Sequence, residues 1–167
     1  MGKVQCIEEN HVRGELTLYK QYLDGSTEVV FKDDPNLITK KSKTHHLAFL
    51  YNQNIVQDIL TSFKVGTGGT IDPNGQRPIK PDPSRNTLYS PLTIGHNNIT
   101  ITPSPAASDS VYITVVFALN QDEGNDQSIS EVGLFKASGD MFNIKTFRAV
   151  PKTESFSLIF EWKIIYV

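Results

Sequence analysis

The sequence predicts a mainly β domain, a β-sandwich or jelly-roll-like fold with one or two short helices and a long Pro/Gly-rich loop. Three observations carry that reading. Along the C-terminal run from Ser155 to Val167, Phe156, Leu158, Phe160, Trp162, Ile164 and Tyr166 fall on one face at a period of two. A second run places Val111, Ile113, Val115, Phe117 and Leu119 on one face, with Val116 and Ala118 adding apolar bulk to the other, as an interior strand requires. Turn residues separate these runs and several shorter ones at the spacing of about 8–12 residues typical of sandwiches.

In chain order, Leu16–Tyr19 and Glu28–Phe31 flank Asp24-Gly25, a pair suited to a tight hairpin in which both central residues take positive φ. Residues 1–14 are expected to form an N-terminal arm, and residues 15–167 the domain. Asp33-Asp34-Pro35 is expected to stop the second strand, and Asn36–Thr39 to form a short third one. Leu47, Leu50 and Tyr51 sit at helical spacing after Ser42, an N-cap candidate, which predicts a helix over 42–51. A second short helix or an irregular turn is expected over 55–60. Thr61–Val65 reads as a strand that enters Val65-Gly-Thr-Gly-Gly-Thr70. From Gly66 to Pro91 the chain reads as one long loop holding Pro73, Pro78, Pro81, Pro83 and Pro91. A loop of that length in a compact domain tends to be functional or ordered by a partner, and its prolines reduce the entropy lost on docking. Leu92–Ile94 and Ile99–Ile101 are expected to pair across Gly95–Asn98. Ile129–Phe135 and Met141–Arg148 form another hairpin, across Ser138-Gly139-Asp140.

Composition narrows the function classes. The 167 residues suffice for one domain with a sizeable core, and the net charge of −2 supplies no field for nucleic acid. Cys6 is the single cysteine, which excludes an internal disulfide and suits synthesis in a reducing cytoplasm. No stretch approaches the roughly 18 apolar residues of a membrane span, and the N-terminus shows no signal-peptide core.

Candidate chemistry is sparse. The glycine-rich turn after Val65 lacks the Gly-Lys-Ser/Thr ending and the following helix that a phosphate loop needs. His45-His46 are adjacent and diverge by about 100° on a helix, so with His11, His96 and Cys6 they make no convincing metal set. Glu8-Glu9, Asp33-Asp34 and Asp122-Glu123 supply carboxylates, but two of the three lie at expected turns. No Gly-x-Ser-x-Gly elbow is present. Lys40-Lys41-Ser42-Lys43 is a compact basic patch without interleaved aromatics. The expectation is a non-enzyme with no cofactor and no metal. Glu131, in an otherwise apolar strand, is costly to bury alone, so it is expected to form a structural pair with Lys152, or with Arg148.

Four stretches in order resemble tailed-bacteriophage virion structural proteins of this size. They are a hairpin followed by Asn36–Thr39 with Leu47-Ala-Phe-Leu50; Val65–Gly69 with the Pro-rich tail to Asn86-Thr-Leu88; Val115–Ala118 leading to Ile129–Phe135 and Met141-Phe142; and Lys152-Thr153 ahead of Leu158–Ile164. The resemblance covers residues 15–167. It implies a virion protein made in the host cytoplasm that assembles with itself, as a trimer or larger ring, and with neighbouring virion proteins. Tail or baseplate is preferred over capsid-surface decoration. The expected assembly interface comprises the N-terminal arm and Gly66, Gly68, Gly69, Pro78, Pro81, Pro83 and Tyr89. A host-recognition module that stacks Tyr89 or Tyr112 on a surface glycan is the alternative.

Overall fold

The structure, a computed structural model, describes residues 12–40, 59–108 and 110–166. Its strands are β1 (Val12–Tyr22), β2 (Thr27–Ile38), β3 (Leu60–Gly66), β4 (Pro91–His96), β5 (Thr100–Pro103), β6 (Val111–Leu119), β7 (Ser128–Lys136), β8 (Met141–Pro151) and β9 (Phe156–Tyr166). They form one antiparallel sheet in the order β4-β3-β7-β8-β2-β1-β9-β6-β5. The helix expected over 42–51 lies outside the described residues, as does most of the helix or turn expected over 55–60, whose last residue, Leu60, begins β3.

The sheet curls, and chain connectivity shows how strongly. β4 and β5 occupy opposite ends of the strand order but are joined by residues 97–99. Four Cα steps span at most about 14 Å, so the two edges must come that close. This replaces the hairpin expected across Gly95–Asn98: β4 pairs with β3, and β5 with β6. A short turn between two strands does not by itself make them partners when each has a longer neighbour to join.

β2 makes the corner. Its first part pairs with β1, from Gln21↔Thr27 to Gly14↔Asn36, and its end pairs with β8 through Leu37↔Ile144 and Ile38↔Asn143. Asp33-Asp34-Pro35 therefore does not stop the strand. Register shifts on either side of Leu18 put extra residues into β2, and Asp33 takes φ 49°. Bulges of this kind bend a strand and increase its twist. Thr17 fastens the bend, its Oγ1 accepting from the Asp33 N–H at 3.0 Å. From β8, Lys145 Nζ reaches Asp34 Oδ2 at 2.8 Å and Pro35 O at 2.7 Å. Of Asn36–Thr39, expected as a separate strand, Asn36–Ile38 continue β2. At the β1–β2 turn only Gly25 takes positive φ, in place of the pair expected at Asp24-Gly25. Val12, Arg13 and Gly14, expected to belong to the N-terminal arm, instead pair with β9 as part of β1, and residues 1–11 lie outside the described residues.

The curl brings inner faces together over an aromatic core. Phe63 of β3 stacks on Phe117 of β6 with centroids 4.2 Å apart, and Phe117 stacks on Phe160 at 5.0 Å. β9 lies between β1 and β6, with Phe156, Leu158, Phe160, Trp162 and Ile164 all buried. Only Tyr166 of the predicted apolar stripe is exposed. Trp162 is fully buried, so its indole N–H needs an acceptor. Asn36 Oδ1 provides it at 3.0 Å, reaching across β1 above Gly14. A Cβ on Gly14 would lie 1.9 Å from that oxygen, so the close approach requires glycine there.

Gly14→Ala is accordingly expected to displace Asn36 and strand the indole N–H, costing about 1–3 kcal/mol in chemical denaturation. Asn36→Ala should cost a similar amount, and the double variant less than the sum, because both remove one hydrogen bond.

Candidate functional site

β7 is unusual in being buried on both faces from Ile129 to Lys136. One face meets the aromatic core. The other is covered by the connection between β3 and β4, residues 67–90, whose Leu88 packs with Phe135, Met141 and Ile144 and is flanked by half-buried Tyr89. The main-chain groups that this connection buries against β7 must be satisfied within the protein.

Glu131 does much of that. It is fully buried, and its carboxylate accepts the N–H groups of Gly68 at 3.2 Å, Tyr89 at 2.8 Å and Ser90 at 2.7 Å. Gly68 begins the connection and Ser90 ends it, so one side chain ties both ends to β7. Its neighbour Ser130 adds a bond from the Gly69 N–H at 2.9 Å. The middle of the connection is fastened to β8, where the Ala149 N–H donates to Gly75 O at 2.8 Å and the Thr146 hydroxyl to Ile79 O. Two acids, half-buried Asp72 and exposed Asp82, brace its turns. The Arg77 N–H holds the Asp72 carboxyl below its usual range, and the Ser84 N–H and hydroxyl do the same for Asp82.

Three glycines make the tie possible. Gly66 lies directly across from Glu131, and a Cβ there would approach Glu131 Oε1 and Ser90 O to 2.4 Å. Added Cβ atoms would lie 2.7 Å from Ser90 N at Gly68 and 2.0 Å from Ser130 O at Gly69. Of the residues expected at an assembly interface, Gly66 and Gly69 are thus buried within the chain, and all three glycines pack against their own subunit. Pro78 and Pro83 are exposed, and Pro81 and Tyr89 half-buried.

The expected pair of Glu131 with Lys152 is not formed. Glu131 is satisfied by main-chain donors, while Lys152 serves a different turn. Lys152 is buried, and its ammonium donates to Gln121 O at 3.1 Å, Asn125 Oδ1 at 3.0 Å and Thr153 O at 2.8 Å. Burial pushes it below the usual lysine range, and the Glu123 and Asp122 carboxylates oppose that shift. The alternative partner Arg148 makes no ion pair with the described residues. Sequence reasoning flagged the right buried acid but missed its donors, which lie 41–63 residues away. The Gly66–Gly69 cluster was the available signal.

The remaining candidates do not converge. Among the described residues no group of three His, Cys, Asp or Glu could hold a metal ion. Cys6, Glu8, Glu9, His11, Lys41, Lys43, His45 and His46 lie outside those residues. Asp33 and Asp34 serve the β2 bend, and Glu123 accepts the Asn120 N–H at 2.7 Å. Tyr89 and Tyr112 each carry a cation on one ring face, from Arg85 at 3.7 Å and Lys163 at 4.9 Å. No helix among the described residues is long and apolar enough to cross a membrane. No family model, curated protein or solved structure matches the chain.

Glu131→Gln turns an amide NH2 toward main-chain donors and is expected to cost about 3 kcal/mol in chemical denaturation, the loss of charged hydrogen bonds plus unpaired N–H groups. Lys152 gives a pH signature. With its folded-state value lowered, the unfolded chain binds more protons between that value and the ordinary lysine value of 10.5, so stability rises with pH across this window. Lys152→Met should remove that rise, as read from denaturation midpoints against pH.

Proposed function

We propose that this chain is a non-enzymatic structural subunit of a tailed-bacteriophage virion. It assembles with itself, as a trimer or larger ring, and with neighbouring virion proteins, in the tail or baseplate in preference to the capsid surface. In this reading the two halves of the curled sheet are the facing layers of a β-sandwich.

The observation that carries the proposal is the use made of Glu131. A fully buried carboxylate beside a glycine-rich turn is where catalytic chemistry would be sought, and among the described residues its hydrogen bonds come from main-chain N–H groups of its own subunit. Such an arrangement serves to hold a shaped surface rather than to transform a ligand. Elsewhere the subunit exposes apolar side chains suited to burial between subunits: Leu23 at the β1–β2 turn, Ile71 in the 67–90 connection, and Val111 beside Tyr166 at the ends of β6 and β9. Burying such groups is favourable at about 25 cal/mol per Å². The exposed Pro78 and Pro83 add preordered contacts. The glycan-binding alternative is less well supported, because Tyr89 and Tyr112 already have a cation against one face.

Light scattering on the purified chain together with immunogold labelling of intact phage particles tests this. A defined oligomer in solution and gold at the tail tip are expected. A monomer at high concentration, or particles that do not contain the protein, would refute the reading.

A further inference from the structure

The corner strand leaves a seam. β2 pairs with β8 only at Leu37 and Ile38, and from Thr27 to Asn36 its ladder is with β1 alone. β8 from Lys145 to Pro151 pairs with β7, and on its other side is met by Gly75 and Ile79 of the 67–90 connection. Between the two diverging strands runs a groove of about 490 Å³. Its apolar lining includes Val30, Phe31, Ile79 and Phe147, and its charged groups are Asp34, Lys145 and Arg148. Asp34 and Lys145 neutralise each other at 2.8 Å. Arg148, exposed and without an ion pair among the described residues, leaves the groove with one unbalanced positive charge.

We propose that this groove receives the N-terminal residues 3–9 of a second copy of the chain as an extended segment. This names the contact surface within the self-assembly reading above and rests on it. The segment Lys3-Val-Gln-Cys-Ile-Glu-Glu9 complements the groove in both respects. Val4 and Cys6 share one face of an extended segment and match its apolar lining, while Glu8, next on that face, and Glu9 supply negative charge to balance Arg148. From Thr27 to Lys32 the main-chain edge of β2 offers N–H and C=O groups on the side not taken by β1, and an added strand uses such an edge for affinity while side-chain pockets set register. The bulges in β2 limit the contact to a short segment.

Cys6 permits a direct test because it is the only cysteine. In full-length Ile79→Cys, mild oxidation should give a disulfide between Cys6 of one subunit and the introduced thiol of another, identified by non-reducing electrophoresis and peptide mapping. Arg148→Glu should weaken self-association several-fold by light scattering, and the charge swap with Glu8→Lys and Glu9→Lys should restore it. A disulfide within one chain, or an oligomer that forms no link between Cys6 and the introduced thiol and ignores Arg148→Glu, overturns the inference and leaves self-assembly standing. A chain that stays monomeric overturns both.

Discussion

The structure depends on placing one carboxylate under a long irregular connection. Residues 67–90 lie across an otherwise complete β7–β8 surface, and every N–H they bury must find an acceptor within the chain. Glu131 accepts at both ends of the segment, from Gly68 and from Tyr89 and Ser90. An ionised acceptor makes stronger bonds than a carbonyl and has lone pairs for several donors at once. The glycines at 66, 68 and 69 follow from that choice, since side chains there would occupy the space of the carboxylate, of Ser90 and Tyr89, and of the Ser130 carbonyl. With both faces of β7 covered, the segment becomes part of the folded body.

A second constraint acts on the opposite face. The stacked rings of Phe63, Phe117 and Phe160 require strands from distant parts of the sheet to face each other. The sheet meets that requirement by curling, and β2 absorbs the distortion through its bulges. Lys145, Thr17 and Asn36 all act near this bend, binding respectively Asp34 with Pro35, Asp33, and Trp162. The seam beside β2 is the consequence: a strand that changes partners leaves part of its edge unpaired.

Much of the architecture was legible because it rests on local periodicity. The stripe of β9 follows from side chains alternating at a period of two, the interior character of β6 from apolar residues on both faces, and the β7–β8 hairpin from the turn residues Ser138-Gly139-Asp140. What failed was non-local. Asp33-Asp34-Pro35 reads as a strand end because bulged and terminated strands share the same residues, and only the β8 partner distinguishes them. The Gly95–Asn98 turn suggested a hairpin because nothing local reports that β4 and β5 each have a better neighbour. At the site, the cost of burying Glu131 was visible, but its remedy was not. A sequence shows which side chains carry opposite charge, and it does not show which main-chain N–H groups a fold will bring near. Lys152, named as the partner, solves a separate problem at the 121–125 turn, with carbonyl and amide oxygens as its acceptors.

The central claim is that residues 67–90 are an integral, carboxylate-anchored part of the fold. Native-state amide hydrogen exchange on the wild-type chain tests it most directly, read at Gly68, Tyr89 and Ser90. Protection close to that of the β7 amides is the predicted result. Exchange at those three amides near the rate of an unstructured peptide, with β7 still protected, would contradict it.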